Sequence, residues 1–410
     1  MASGRVQLAS TGIQDTYLTG DPQFTYFLKQ YKRHTKFALE TLDNSVDGDL
    51  DFGASLTCFV PRKGDLIHAV HLRIELSNLY SPSQPSANIG YTDSIGNAII
   101  DYVDLVIGGQ TIQRITGEYM ELYSDLFVGN SQQPALQYLI GRTLTYNGLG
   151  TATSPRLLLI PLPFYFLGND SLNIPLSAID KQDIQFRIKL KPLNQLILNI
   201  DNPILPVPTD VVGSILKLSM PIEYVFLSDG EINYMKSKPI DYVITQLQVS
   251  RFTMAAGVSD SQMLLQFVNP VKELFVVIQD TNVGSDLFNF TNISNVNVED
   301  QLEHLSLSFN NETRISSDVA SALYLRVVQP LAHHTKTPSR YFYNYSFALK
   351  PEEAFPTGQV NMSRILSKLL NIKTTYSSVS REVRIYAVNY NILRVNGGIA
   401  GVLFNDNNFI

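Results

Sequence analysis

Chemistry in a protein needs reactive side chains that converge, and the six histidines and single cysteine of this 410-residue sequence are the first places to look. His68 and His71 stand three apart in Leu66-Ile67-His68-Ala69-Val70-His71-Leu72, a run that reads as a strand. Successive side chains on a strand alternate faces, so residues three apart point away from each other and do not share one metal ion. His333 and His334 are adjacent in a loop-like stretch, where a solvated or interface role is expected before ligation. Cys58, within Leu56-Thr57-Cys58-Phe59-Val60, reads as a small buried hydrophobe rather than a nucleophile. Glu118 with Glu121, or Glu352 with Glu353, would suit glycoside hydrolysis if held about 5–10 Å apart. Nothing around these pairs lifts them above solvated surface charge. The sequence contains no Gly-x-x-x-x-Gly-Lys phosphate loop, no Gly-x-Gly-x-x-Gly fingerprint and no Gly-x-Ser-x-Gly elbow. No catalytic, cofactor-binding or metal-binding residue is assigned, and the chain is expected not to be an enzyme.

The charged residues point elsewhere. Lys plus Arg number 31 against 37 Asp plus Glu, a net charge of -6. A chain that coats nucleic acid needs the opposite excess to neutralise phosphates, so direct nucleic-acid binding is not expected. Four basic residues fall close together near the start, between Lys29 and Lys36. Asp21 before Pro22 matches the pairing of an N-cap with a first helical proline, and predicts a helix from Asp21 to Tyr31 or beyond. On such a helix Phe24, Phe27, Leu28 and Tyr31 fall on one stripe, and Lys29, Lys32, Arg33 and Lys36 on another. Phe24, Phe27 and Tyr31 would then dock the helix. The basic stripe is either a solvated side or a contact for acidic protein or lipid headgroups.

The elements that must carry these residues are mostly strands. Leu66 to Leu76, Ile99 to Ile107, Ile184 to Leu190, Ile215 to Leu227, Leu274 to Ile278, Tyr341 to Leu349 and Val383 to Leu393 are alternating or continuous runs of β-branched and aromatic residues. Gly108-Gly109 between two such runs predicts a two-residue hairpin turn. Further helices are predicted at Gly117 to Phe127 and Asp229 to Met235. The segments Phe127 to Pro155 and Asp280 to Asn297 lack strand periodicity and read as outward-facing or peripheral loops. The longest apolar run, Leu157 to Leu167, is broken by Pro161 and Pro163 and is shorter than the roughly 20 residues of a membrane-spanning helix. The N-terminus carries no continuous apolar stretch of the signal-peptide type. Glycans are therefore not expected at the Asn-x-Ser/Thr triplets of Asn169, Asn289, Asn292, Asn311, Asn344 and Asn361. One cysteine excludes an intrachain disulfide framework.

Two features occur once in each half. Phe164-Tyr165-Phe166-Leu167 runs toward Pro175, and Tyr345-Ser346-Phe347-Ala348-Leu349 toward Pro351 and Pro356. Leu216 to Leu227 and Val383 to Leu393 are long strands that close their halves. The polar stretch Ser228-Asp229-Gly230-Glu231 reads as the boundary, and the proline-bearing Asp201 to Asp210 as a loop inside the first half.

Gln14-Asp15-x-Tyr17-Leu18-Thr19-Gly20-x-Pro22-Gln23-x-Thr25-Tyr26-Phe27, followed by Tyr31-Lys32-Arg33-His34-Thr35-x-Phe37-Ala38, closely resembles the opening of nucleocytoplasmic large DNA virus major capsid proteins. The resemblance continues through Ile107-Gly108-Gly109-Gln110 with Gly117-Glu118, then Ile160 to Phe164 and Ile174 to Ala178. It resumes at Glu223 to Leu227, Tyr345 to Glu353 with Pro356, Gly358, Asn361, Ser363 and Arg364, and Asn389 to Leu393. It implies an all-β double jelly roll of two consecutive eight-stranded units with a short N-terminal helical segment. The expected division is an arm and helix over 1–36, a first jelly roll over 37–230, a second over 231–397 and a tail over 398–410. The implied function is structural: homotrimers forming pseudo-hexameric capsomers of an icosahedral shell, in the virion, assembled in the host cytoplasm and without a cofactor. The implied partners are neighbouring capsomers, minor capsid proteins and an inner viral membrane, the last two expected to be met by Lys29, Lys32, Arg33 and Lys36 on the inner face of the shell. A minor capsid component of the same fold, or a glycan-binding jelly-roll module using Tyr341, Tyr343 and Tyr345, is the competing reading.

Overall fold

The computed structural model describes residues 3–29, 31–84, 89–142, 156–199, 207–292 and 300–404. The chain divides into two units, Met1–Lys36 and Phe37–Ile410.

The N-terminal unit holds two seven-residue helices, α1 (Ser3–Ala9) and α2 (Ile13–Thr19), neither of which buries a residue. The start of α2 is fixed by the Asp15 carboxylate, which accepts from the Gly12 N–H at 2.6 Å. The helix expected from Asp21 to Tyr31 does not form in the described residues, which carry neither helix nor strand there. Asp21 has φ +46°, a left-handed conformation, whereas an N-cap needs extended backbone. An apolar stripe stabilises a short helix only by burial, and Phe24, Phe27 and Tyr31 are all exposed.

In the second unit the chain order opens with β1 (Phe37–Ser45), β2 (Ser55–Phe59), β3 (Leu66–Leu76), β4 (Ile89–Tyr91) and the one-turn α3 (Ile95–Ala98). Then follow β5 (Ile100–Ile107), β6 (Gln110–Thr116), α4 (Gly117–Leu126), α5 (Gln133–Ile140), β7 (Arg156–Pro161), β8 (Ile184–Leu190), β9 (Ile197–Asn199) and β10 (Ile215–Leu227). After α6 (Asp229–Ser237) come β11 (Ile240–Met254), β12 (Asp260–Leu264), β13 (Pro270–Asp280), β14 (Leu302–Phe309) and β15 (Glu312–Ile315). The chain ends with α7 (Gln329–His333), β16 (Tyr343–Ser346), β17 (Val360–Asn361), β18 (Lys368–Thr374), β19 (Arg381–Asn396) and β20 (Ile399–Val402).

Two four-stranded antiparallel sheets form from the earlier strands, in the orders β1-β10-β3-β7 and β2-β8-β5-β6. The later strands repeat the plan as β11-β19-β13-β16 and β12-β18-β14-β15. With the short β4, β9, β17 and β20 set aside, both halves read first-eighth-third-sixth and second-seventh-fourth-fifth. That is the two-sheet jelly roll, present twice in succession. The segment expected as a tail includes β20, which pairs with β19 from Leu393↔Val402 to Asn396↔Ile399.

The hairpin at Gly108-Gly109 forms as expected, with φ +56° and +84°, the positive values a two-residue turn requires. Helices α4 and α6 stand where the sequence placed them. The two stretches expected as peripheral loops differ. The first contains α5, which buries Leu136 and Ile140, while its residues 143–155 lie outside the described residues. In the second, Phe288 and Phe290 are buried in the core, because their rings supply apolar surface that outweighs the loop's polar composition. Residues 201–206 of the proline-bearing loop are also outside the described residues.

The core explains why β13 and β19 are so apolar. Leu274, Val276, Ile278, Val383, Ile385 and Ala387 pack inside the second jelly roll, against its other sheet. Phe275, Val277, Tyr386 and Val388, on the opposite face, join a cluster with the first jelly roll's Leu105, Ile112 and Tyr119. A strand covered on both faces has no solvent side, so its sequence runs apolar without alternation.

Candidate functional site: the seam between the jelly rolls

The face of β11, β19 and β13 that meets the first jelly roll is apolar at its centre and charged around it. Helix α4 supplies the first charged group. Its Thr116 N-cap accepts from the Tyr119 N–H at 3.2 Å, and Glu121 and Asp125, four apart on one helix face, turn into the seam fully buried. Glu121 accepts from Arg340 Nε at 2.7 Å, Asn97 Nδ2 at 2.8 Å and Ser94 Oγ at 3.1 Å. Asp125 accepts from the Ser339 N–H and Oγ, each at 2.7 Å, from the Arg340 N–H at 2.9 Å and from Arg142 at 3.2 Å. Burial alone would raise the Asp125 pKa; Arg142, these backbone and hydroxyl donors and Lys336 overcome it and hold the carboxyl below its usual range. Arg340 also reaches Asp93 at 2.7 Å, so that three carboxylates face Arg142, Lys336 and Arg340.

A second group centres on Arg384 of β19, which meets Glu118 at 2.8 Å across the seam, and Glu382 and Gln279 at 2.6 Å. A third lies within the second jelly roll, under Phe127 from the first. His334, its side chain wholly buried, is 3.2 Å from both Glu273 and Glu352, and the Phe127 ring meets it edge-on. Burial pushes this imidazole toward neutrality, but the two carboxylates more than reverse that and raise its pKa to about 9. Direct backbone ties complete the joint: Gln246 Nε2 donates to the Ile112 carbonyl at 2.6 Å, and the Ala400 N–H to Gln182 Oε1 at 2.7 Å.

This arrangement ties the two jelly rolls together through buried ion pairs and hydrogen bonds. Glu118, Glu121 and Glu352, expected as solvated surface charge, are instead ion-pair partners, because each carboxylate has a cation brought to it by the other half or, for Glu352, by His334 just after α7. His334, expected in a solvated or interface setting, is in the interior for the same reason. Cys58 is buried as expected, and its thiol is pushed up to about 11 by burial and by Asp47. His68 lies 3.3 Å from Asn173 and 3.9 Å from Glu223, and burial lowers the His71 pKa against the pull of Glu223. Among the described residues no group of three or more His, Cys, Asp and Glu side chains is placed to hold a metal ion. A cavity of about 330 Å³ opens beside the seam between Tyr119, Tyr165, Lys272 and Glu353. Lys272 donates there to the Pro351 carbonyl at 2.7 Å. Two of the six glycosylation-type asparagines, Asn292 and Asn344, are buried. Of the tyrosines considered for glycan contact, Tyr343 is buried too.

Lys29, Lys32, Arg33 and Lys36 are exposed in the N-terminal unit, as are Phe24, Phe27 and Tyr31, and no helix gathers either set onto a face. The sequence offers Glu118, Glu121, Glu352 and His334 only as solvated or loop groups and gives no role to Asp125, Glu273, Arg340 or Arg384, although it holds a signal for some of them. Lys272-Glu273 and Arg384 interrupt apolar strands, and a charge inside a strand buried on both faces must have a partner.

Residues 25–228 match the family model for the major capsid protein N-terminus, and residues 231–401 that for the large eukaryotic DNA virus major capsid protein. The major capsid protein of Phaeocystis pouchetii virus is 28% identical, with 99% of this chain and 100% of the relative covered. That of Paramecium bursaria Chlorella virus 1 is 27% identical, over 98% of this chain and 100% of the relative. Among solved structures, the PBCV-1 virus capsid superposes with a TM-score of 0.79 at 22% identity, covering 93% of this chain and 100% of the other. The Faustovirus major capsid protein gives 0.75 at 12% identity, with 94% of each chain covered. Two consecutive jelly rolls, two family models laid end to end over them and relatives matched from end to end agree: the chain belongs to the family of large eukaryotic DNA virus major capsid proteins.

Proposed function

We propose that this chain is the shell-forming subunit of an icosahedral large DNA virus, acting as a homotrimer whose six jelly rolls give each capsomer a pseudo-hexagonal outline. The observation that carries the reading is one strand order repeated in two halves that share a core. A hexagonal lattice position needs six similar sides, and a threefold assembly of a two-part subunit supplies them. The buried seam supports the same role, since a shell transmits load through its subunits and a hinge between the two jelly rolls would blur every lattice contact. The names of the relatives, all capsid proteins among those compared, agree with it.

The role is mechanical rather than catalytic, and it takes place in the virion capsid after assembly in the host cytoplasm. Its partners are other copies in the trimer, neighbouring capsomers, minor capsid proteins and the inner membrane beneath the shell. Light scattering during size exclusion tests the trimer: the expected mass is three times the 45.8 kDa of one chain. Electron micrographs should show particles of hexagonal outline. A monomer that persists across micromolar concentrations would remove this reading.

A further inference from the structure

We propose that the outer edge of β1 receives, by strand addition, the basic N-terminal arm of a second copy of this chain. The proposal rests on the assembly reading above and names one of its contacts. Among the described residues the nine-residue β1 pairs as a strand with β10 alone, so from Ala38 to Ser45 it forms the margin of its sheet. Seven of those nine are exposed, Leu39 among them at 51%. Every second peptide group of such a strand points away from β10, toward a position where another strand can bind. A long open margin of this kind is the template on which extended peptides add. By contrast, β6 and β11 approach each other across the seam.

Charge decides which strand this margin admits. Glu40 and Asp43 on β1, and Asp47, Asp49 and Asp51 in the loop after it, are all exposed. Asp43 approaches Arg73 at 3.9 Å. Two β1 margins brought together would oppose these carboxylates to one another, which disfavours edge-to-edge pairing of like with like. A basic strand meets no such penalty. Residues 24–36 contain Lys29, Lys32, Arg33 and Lys36 and no acidic residue. They also contain Phe24, Thr25, Tyr26, Phe27, Tyr31 and Thr35, types that favour strands. The described part of this segment has no regular structure of its own and its side chains are exposed. Because no helix collects the four cations on one face, a flat anionic membrane is the weaker match. An extended partner presents its carboxylates singly, at strand spacing, as the arm presents its cations.

The test uses the full-length chain. Equal amounts of ¹⁵N-labelled and unlabelled protein are mixed, assembled and treated with a zero-length carbodiimide, which joins only lysines and carboxylates in contact. Mass spectrometry should find mixed-isotope links from Lys29, Lys32 or Lys36 to Glu40, Asp43 or the Asp47 to Asp51 loop. Amide exchange in β1 is then compared between the wild type and a variant with Lys29, Lys32, Arg33 and Lys36 all changed to Glu. Protection of β1 should fall roughly tenfold in the variant. Adding Glu40→Lys and Asp43→Lys to the same chain should restore it. Links confined to single isotopes, or β1 protection indifferent to the arm charges, would overturn the proposal. Loss of flotation with phosphatidylcholine–phosphatidylserine vesicles in the four-Glu variant, with β1 exchange unchanged, would overturn it in favour of a lipid target. Light scattering on the same samples separates the two readings: a monomer removes both, whereas an intact trimer without mixed links removes this one alone.

Discussion

At the scale of single residues, the seam shows how buried acids and bases can serve to join two halves of a chain. His334 sits between Glu273 and Glu352 with its side chain wholly buried, where an unpaired charge would be prohibitive. His334→Ala would leave the buried Glu273 to the more distant Lys272, at 3.9 Å, and is expected to cost about 3 kcal/mol, measured by urea unfolding; a loss under about 1 kcal/mol would show the pair to be dispensable. The pH dependence follows from the raised pKa. A histidine at 6.5 when unfolded and about 9 when folded binds its proton more tightly in the native state, so its stabilisation is complete below 6.5 and is lost as pH rises through 9. Glu352 acts at the other end: its pKa is lowered from 4.5 in the folded protein because His334 and Thr335 outweigh burial, and its contribution fades only as pH falls below that value. The melting temperature should therefore decline from pH 6.5 to 9.5 more steeply in the wild type than in His334→Gln. Equal slopes would assign the alkaline loss to other groups. None of this was legible in the sequence, where His333-His334 looked like loop residues, because the carboxylates that capture His334 lie 61 and 18 positions away in the chain.

At the scale of elements, legibility followed burial. The runs Leu66 to Leu76, Ile184 to Leu190 and Ile215 to Leu227 coincide with β3, β8 and β10, since each has a core face that imposes period-two alternation or continuous apolarity. β1 gave no signal because it buries one residue of nine, and β15 none because it buries one of four. The arm misled for the converse reason: its 3.6-residue aromatic pattern had no surface within its own unit on which to fold. Close approach leaves a sharper mark than pattern. Gly117, where β6 passes into α4, lies so near the carbonyls of Asn97 and Ile100 that a Cβ there would collide with both. These are backbone atoms that cannot swing aside. Gly117→Ala should thus destabilise the chain by about 1–3 kcal/mol through overpacking, despite alanine's better helix propensity. Thermal denaturation checks the sign: a more stable variant would mean that α3 and α4 can separate at little cost.

At the scale of the whole molecule, the two jelly rolls are alike in strand order and each needs the cover of the other. The second exposes, once parted from the first, the face carrying Tyr242, Ile244, Phe275, Val277, Tyr386 and Val388. Burying six large apolar side chains contributes on the order of 10 kcal/mol, comparable to the entire stability of a typical domain. To this are added Arg384 with Glu118 and Arg340 with Glu121, whose separation would uncover charges arranged for burial. Neither half is therefore expected to exist as a well-behaved domain, although each has all eight strands of its own jelly roll. Residues 231–410 made alone should be insoluble or bind a hydrophobic dye strongly, and mixing them with residues 1–230 during refolding should restore a soluble complex. The full chain, by the same argument, should unfold in urea with coincident fluorescence and circular dichroism transitions. Soluble, monomeric, cooperatively folding halves would show that the seam is a contact between finished domains. The rigidity that the proposed role requires would then have to come from neighbouring subunits.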